Sequence, residues 1–217
     1  MKKKSFLVIG MGVFGSSVAS TLAELGHEVL GVDNDPIVVQ HMSEVLTQAI
    51  QMDATDIENL RTLGVPNFDV CIVGRGTKLD DSVLITMNLK ELGARYIVAK
   101  ALSDAQAKIL KALGVDRIVF PERDMGIRVA QTLSAPRMVD HMDLAPNYSV
   151  EEISAPPELV GKTLEQAKIR SRYGINVVCI KRGDNVNPVP DNSDVIQEGD
   201  VLVVIGENKR LKELRES

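Results

Sequence analysis

Four times before residue 115 the chain repeats Leu-x-x-Leu-Gly, starting at Leu22, Leu60, Leu89 and Leu110 and ending at Gly26, Gly64, Gly93 and Gly114. Two leucines three residues apart share one face of a helix, and a glycine just beyond supplies the left-handed residue that ends it. A strand-like run follows each glycine within a few residues. The repeat therefore reads as helix, turn, strand, and its uneven spacing excludes a solenoid. With residues 5–9 as a first strand, the candidates are 28–32, 46–51, 69–73, 96–100 and 116–120. Strands alternating with helices build a parallel sheet covered on both faces, because parallel neighbours need long crossovers. Aromatics are 3% of 217 residues and Trp is absent, so the core must be aliphatic.

Beyond the sixth strand the texture changes. Pro121 and Pro136 bracket a helical stretch at 124–133, and Pro146 and Asn147 sit in a polar connection at 143–149. Strand-like runs follow at 150–153, 177–180 and 201–205, with short helices at 164–169 and 209–215. A segment rich in turn formers, 182–194, joins two of these strands as a loop. The expected fold class is α/β: a Rossmann-like parallel-sheet domain over 1–143, then a small α+β ligand-binding domain over 144–217.

The chemistry concentrates after the first strand. Gly10-Met-Gly12-Val13-Phe14-Gly15 opens a helix directly from it. The first glycine permits the tight turn, the second lets backbone approach a pyrophosphate, and the third allows close packing of helix on strand. Asp33 ends the second strand, where a carboxylate reaches ribose hydroxyls. Ligands of open parallel sheets bind at the carboxyl ends of the strands. Those ends carry the glycine loop, Asp33 and Asn34, Asp53 and Ala54, Gly74, Arg75 and Gly76, Lys100, and Glu122. Two readings stand for several of these. Asp53 contacts adenine or caps the helix starting near Ile57. Lys100 meets phosphate or is a solvated strand end, Arg75 meets phosphate or points to solvent, and Glu122 caps a helix or holds a cation.

Other chemistries find little support. Net charge is −5, and the second unit holds 10 Lys and Arg against 12 Asp and Glu, so no nucleic-acid footprint is present. Of three histidines, His27 lies at the wrong sheet edge, His41 on the second helix and His141 near the linker. Cys71 and Cys179 sit in aliphatic runs and read as buried hydrophobes of a reducing compartment. No apolar run approaches the length that spans a bilayer. The Lys2-Lys3-Lys4 start resembles a signal n-region, but the apolar stretch after it breaks at Gly10, so secretion is not expected. A nicotinamide-dependent oxidoreductase or redox sensor remains the alternative function, lacking an evident acid or base.

The sequence resembles the regulator of potassium conductance family, in particular the stand-alone TrkA/KtrA-type subunits of bacterial potassium uptake. The likeness covers nearly the whole chain. It is carried by the glycine loop, Val32-Asp33, Asp53-Ala-Thr55, Leu63-Gly64 and the run from Asp116 through Pro121-Glu-Arg-Asp-Met-Gly126. In the second unit Leu159-Val-Gly-Lys-Thr-Leu164, Tyr173-Gly-Ile-Asn-Val-Val178 and Glu198-Gly-Asp-Val-Leu-Val-Val-Ile-Gly206 carry it. The resemblance implies binding of ATP, ADP or NAD(H) in the first domain, with Glu122 at a position that coordinates Mg²⁺ or Ca²⁺ beside the nucleotide. It also implies a crossover helix that makes a homodimer, assembly into an octameric ring, and an integral membrane potassium channel as partner. The chain would then be cytoplasmic, at the inner face of the membrane through that channel. In KtrA-like members the second module binds cyclic di-AMP, and the matching positions are Ile169, Arg170, Ile175, Asn176 and Pro190. Many such members carry Arg after the second glycine, where this chain has Val13.

Overall fold

The alternation along the first strand sets the architecture of the first unit. In β1 (Ser5–Ile9), Leu7 and Ile9 face one aliphatic cluster while Phe6 and Val8 face another. A strand buried on both faces needs helices on both faces. The structure, a computed structural model, describes residues 2–75 and 79–217. After β1 come α1 (Val13–Glu24), β2 (Glu28–Asp33), α2 (Pro36–Met42), β3 (Gln48–Gln51), α3 (Ile57–Thr62), β4 (Val70–Val73), α4 (Leu79–Glu91), β5 (Ile97–Lys100), α5 (Asp104–Ala112) and β6 (Arg117–Val119). The sheet is parallel throughout, in the order β3-β2-β1-β4-β5-β6. That order reverses between β1 and β4, and the crevice there is where such sheets bind ligands.

The repeat performs as its spacing implies. Gly26, Gly64, Gly93 and Gly114 all take positive φ, between +68° and +83°. The first leucines Leu60, Leu89 and Leu110 are fully buried and Leu22 packs partly buried on the core, whereas of the second leucines Leu63, Leu92 and Leu113 are half-buried and Leu25 is exposed. Side chains start several helices: Asp35 accepts from the Ile37 N–H, Asp56 from the Glu58 N–H and Ser103 from the Gln106 N–H. Cys71 is buried in the sheet, which pushes its thiol up to about 12.

The chain divides into compact units at Arg123/Asp124, within α6 (Pro121–Ser134). The second unit continues with β7 (Met138–Ala145), β8 (Tyr148–Ser154), α7 (Leu164–Ala167), α8 (Ile169–Tyr173), β9 (Asn176–Arg182), β10 (Asn185–Asn187), β11 (Val201–Glu207) and α9 (Asn208–Arg215). Its sheet is antiparallel, in the order β10-β9-β11-β8-β7. Two segments expected as connections belong to it. Residues 143–149 contain the tight turn of the β7–β8 hairpin, with Pro146 and Asn147 between the strands. The expected loop 182–194 begins with the β9–β10 hairpin, turned by Gly183 at φ +57°. The helix expected over 164–169 is interrupted at Lys168, whose φ of +50° ends α7 before α8 begins.

Two buried carboxylates organise this unit. Asp200, fully buried, accepts from Arg182 Nε at 2.7 Å, from Arg182 Nη2 at 2.9 Å and from the Gln197 N–H at 2.8 Å. This explains the aspartate of the Glu198-Gly-Asp run: it ties the turn before β11 to β9. Glu151 on β8 is 2% exposed. Burial pushes its carboxyl up, against the opposing pull of Arg215 at 3.3 Å and His141 at 3.7 Å. His141 lies within β7, also 2.9 Å from Asp143.

Candidate functional site

At the switch point the strand ends are close enough that only glycine fits between them. The Gly10 N–H donates to the Val32 carbonyl and the Gly74 N–H to the Ile9 carbonyl, both at 2.8 Å. A Cβ on Gly15 would lie 2.0 Å from the Gly10 carbonyl oxygen, and one on Gly74 would lie 2.6 Å from the same atom. The start of α1 is thereby drawn against β1 and β4. Gly12, the N-cap of α1, has extended backbone, open space where a Cβ would stand, and no side chain over the helix end. The first-turn N–H groups of α1 are thus left for a ligand, and that turn carries no acidic residue to compete.

Asp33 is fixed from two sides. Its Oδ2 accepts from the Met11 N–H at 2.6 Å and its Oδ1 from the Asp35 N–H at 3.0 Å. The carboxylate therefore shapes the glycine loop, and the remaining lone pairs suit hydroxyl donors. Across the crevice, Lys100 at the end of β5 bonds the Glu122 carboxylate and stands 5.9 Å over the Phe14 ring. That bond holds the Glu122 carboxyl below its usual range. Gly10, Gly12, Val13, Phe14, Asp33, Gly74, Arg75, Lys100 and Glu122 line one cleft of about 330 Å³.

The other expected residues fall elsewhere. Asn34 and Asp53 line an adjoining recess of about 420 Å³ with Gln51, Met52 and Asn59. Asp53 is not a helix cap: α3 is capped by Asp56, while Asp53 accepts from the Thr55 N–H and hydroxyl, which hold its carboxyl low. Ala54 is 6% exposed within the core, so its side chain belongs to the packing. Gly15 serves packing too, and Gly76 lies outside the described residues. Sequence reasoning missed Gln51, although β3 ends there, Asn59 in α3, and Asp81, which pairs with Arg75 at 3.0 Å.

In the second unit Ile169, Arg170, Ile175, Asn176 and Pro190 line one small cleft of about 180 Å³, with Leu164, Val177 and Asn192. Ile169 and Ile175 are nearly wholly buried in the core of that unit, so they offer edges to this cleft and not open faces. Among the described residues no group of three His, Cys, Asp or Glu is arranged to hold a metal ion by itself.

Comparison with known proteins covers both units. The TrkA-N domain model matches residues 6–121 and the TrkA-C domain model residues 150–217. The chain is 42% identical to Ktr system potassium uptake protein C of Bacillus subtilis over 94% of its own length and 92% of the relative's. It is 37% identical to Ktr system potassium uptake protein A of the same organism, over 98% and 96%. Among solved structures, the GsuK channel bound to NAD shares the fold with a TM-score of 0.68 at 19% identity, covering 99% of this chain and 40% of that one.

Proposed function

The chain belongs to the regulator of potassium conductance family, within its TrkA/KtrA-type potassium-uptake subunits, and from that premise we propose how it acts. It is a nucleotide-binding regulatory subunit that gates a membrane potassium uptake channel. The observation that carries this reading is the glycine-lined cleft at the β1/β4 switch point, with free helix N–H groups at one end and Asp33 at the other. An adenine nucleotide fits this polarity: phosphates at α1, ribose at Asp33, base toward the recess at Asn34 and Asp53. ATP, ADP and NAD(H) share these parts. The role is regulatory, without a catalysed step, in preference to an oxidoreductase.

The finer features follow as part of the same proposal. Glu122 is an exposed carboxylate at the phosphate end of the cleft. Mg²⁺ and Ca²⁺ take one carboxylate together with phosphate oxygens, so Glu122 suits a shared site once Lys100 yields it. The cleft at Arg170 and Asn176 is the candidate for cyclic di-AMP, with Arg170 exposed to meet a phosphate. Homodimers built into an octameric ring under the channel would turn ligand binding into gating. A ligand shifts such an assembly only through different affinities for its two conformations. Among the described residues no helix is long and apolar enough to cross a membrane. In this reading a membrane-spanning partner supplies the pore, and this chain acts at its cytoplasmic side.

Thermal-shift titration tests the binding step. A ligand at about 100 Kd should add about 2.7 kcal/mol to stability if it binds only the folded state. ADP, ATP or NAD(H) is expected to raise the wild-type melting temperature, and Asp33→Ala to lose most of that rise. Absence of any rise with all of these nucleotides would end the nucleotide reading.

A further inference from the structure

The cleft contains two described cations, Arg75 and Lys100, and they are differently placed. Lys100 is bound to the Glu122 carboxylate beside the Phe14 ring. Val13, at the first position of α1, is 92% exposed and carries no charge, so the helix start offers N–H groups alone. Arg75, two residues beyond the end of β4, stands directly against the glycine loop. A Cβ on Gly10 would lie 2.9 Å from both the Cβ and the backbone nitrogen of Arg75. Its guanidinium is aimed by Asp81 in the first turn of α4, through Nε at 3.0 Å, with both side chains about a quarter exposed.

We infer that Arg75 is the phosphate-reading residue of this cleft and that Asp81 is its positioning residue. The inference rests on the nucleotide reading and deepens it: the site selects nucleotides with a terminal phosphate dianion over nucleosides through this guanidinium. A guanidinium stays charged and presents a planar fork that pairs bidentately with phosphate oxygens. Its contact with Asp81 uses Nε, the donor at the base of the fork, so the carboxylate orients the fork as it neutralises it. Asp81 holds the Nε edge of the guanidinium, so the Nη donors are turned to the dianion of ADP or ATP while the pair stays in place. NAD, whose pyrophosphate has no terminal dianion, depends on the guanidinium less.

The experiment measures affinities of full-length wild type, Arg75→Ala, Arg75→Lys and Asp81→Asn for ATP, ADP, NAD and adenosine by calorimetry. Displacement of a fluorescent ADP analogue covers the weakest ligand. Arg75→Ala is expected to weaken ATP and ADP by about 10- to 100-fold, as for a lost charged hydrogen bond, and adenosine by no more than about twofold. Arg75→Lys should recover part of the loss, because charge returns without the fork. Asp81→Asn should fall between wild type and Arg75→Ala. Equal losses for all four ligands, or none, overturn the assignment of Arg75 while leaving the nucleotide reading in place. Failure of wild type to bind any of them overturns both. Ligand-free melting of each variant separates folding from binding.

Discussion

Gly15→Ala is expected to destabilise the first unit by about 3 kcal/mol, at the upper end of what overpacking costs, and to abolish stabilisation by nucleotide. The reason is geometric. The added Cβ would stand 2.0 Å from the Gly10 carbonyl oxygen and 3.0 Å from its carbon, both backbone atoms that no rotamer change can move. Relief requires α1 to withdraw from β1, which opens the cleft and misdirects the N–H groups of its first turn. A loss of this size corresponds to a fall of roughly 10 °C in melting temperature for a unit near 120 residues. Gly12→Ala is the matched control. Its position is open and its backbone extended, so folding should hold while the methyl group blocks close approach of a phosphate. Melting of Gly15→Ala within about 2 °C of wild type, well short of that fall, would show that the packing at the switch point is looser than described.

Asp200→Asn should cost the second unit about 2 kcal/mol at neutral pH, with a characteristic dependence on acid. Breaking a buried pair costs about 3–5 kcal/mol, and the figure is discounted here because Arg182 is nearly half exposed. Arg182, together with the Gln197 N–H, holds the Asp200 carboxyl below its ordinary value in the folded protein. A depressed folded pKa contributes stability that is full above the unfolded value of about 3.9 and is lost as pH falls through the folded value. The gap between wild type and Asp200→Asn should therefore be flat from pH 7 to pH 5 and close below about pH 4. Urea unfolding at pH 7, 5 and 3 measures it. A gap that widens on acidification would mean that Asp200 is not ionised in the folded unit.

What is legible in the sequence is local. The six strands of the first sheet emerge within two residues of their expected ends, and β2, β4, β5 and β6 each follow a helix-ending glycine of positive φ. The glycine loop and Asp33 are readable for the same reason: spacing along one strand–turn–helix unit determines them. What stays hidden depends on partners distant in the chain. In β7 the polar and apolar residues of Met138–Ala145 show no face until they pair with β8. Pro146 and Asn147 have the composition of a connection and instead turn a hairpin. Ile169 and Ile175 read as ligand contacts, yet their burial comes from Leu202, Leu211 and the other members of that core. Asp53 reads equally as a cap or an adenine contact, and the cap is Asp56, three residues on, which has the geometry to reach the Glu58 N–H. Arg75 is visible as a cation at a strand end, while the carboxylate that aims it belongs to the first turn of the next helix, a pairing that no motif spacing announces.

The central claim is that nucleotide bound at the β1/β4 cleft changes potassium conduction through a membrane partner. It is tested most directly by potassium flux into proteoliposomes that hold the partner channel with this subunit, measured as ATP is exchanged for ADP or NAD(H). Flux is expected to change between nucleotides with the wild-type subunit, and this change should disappear with Asp33→Ala or when the subunit is omitted. Flux that stays the same under every nucleotide, in a complex shown to bind them, would contradict the claim.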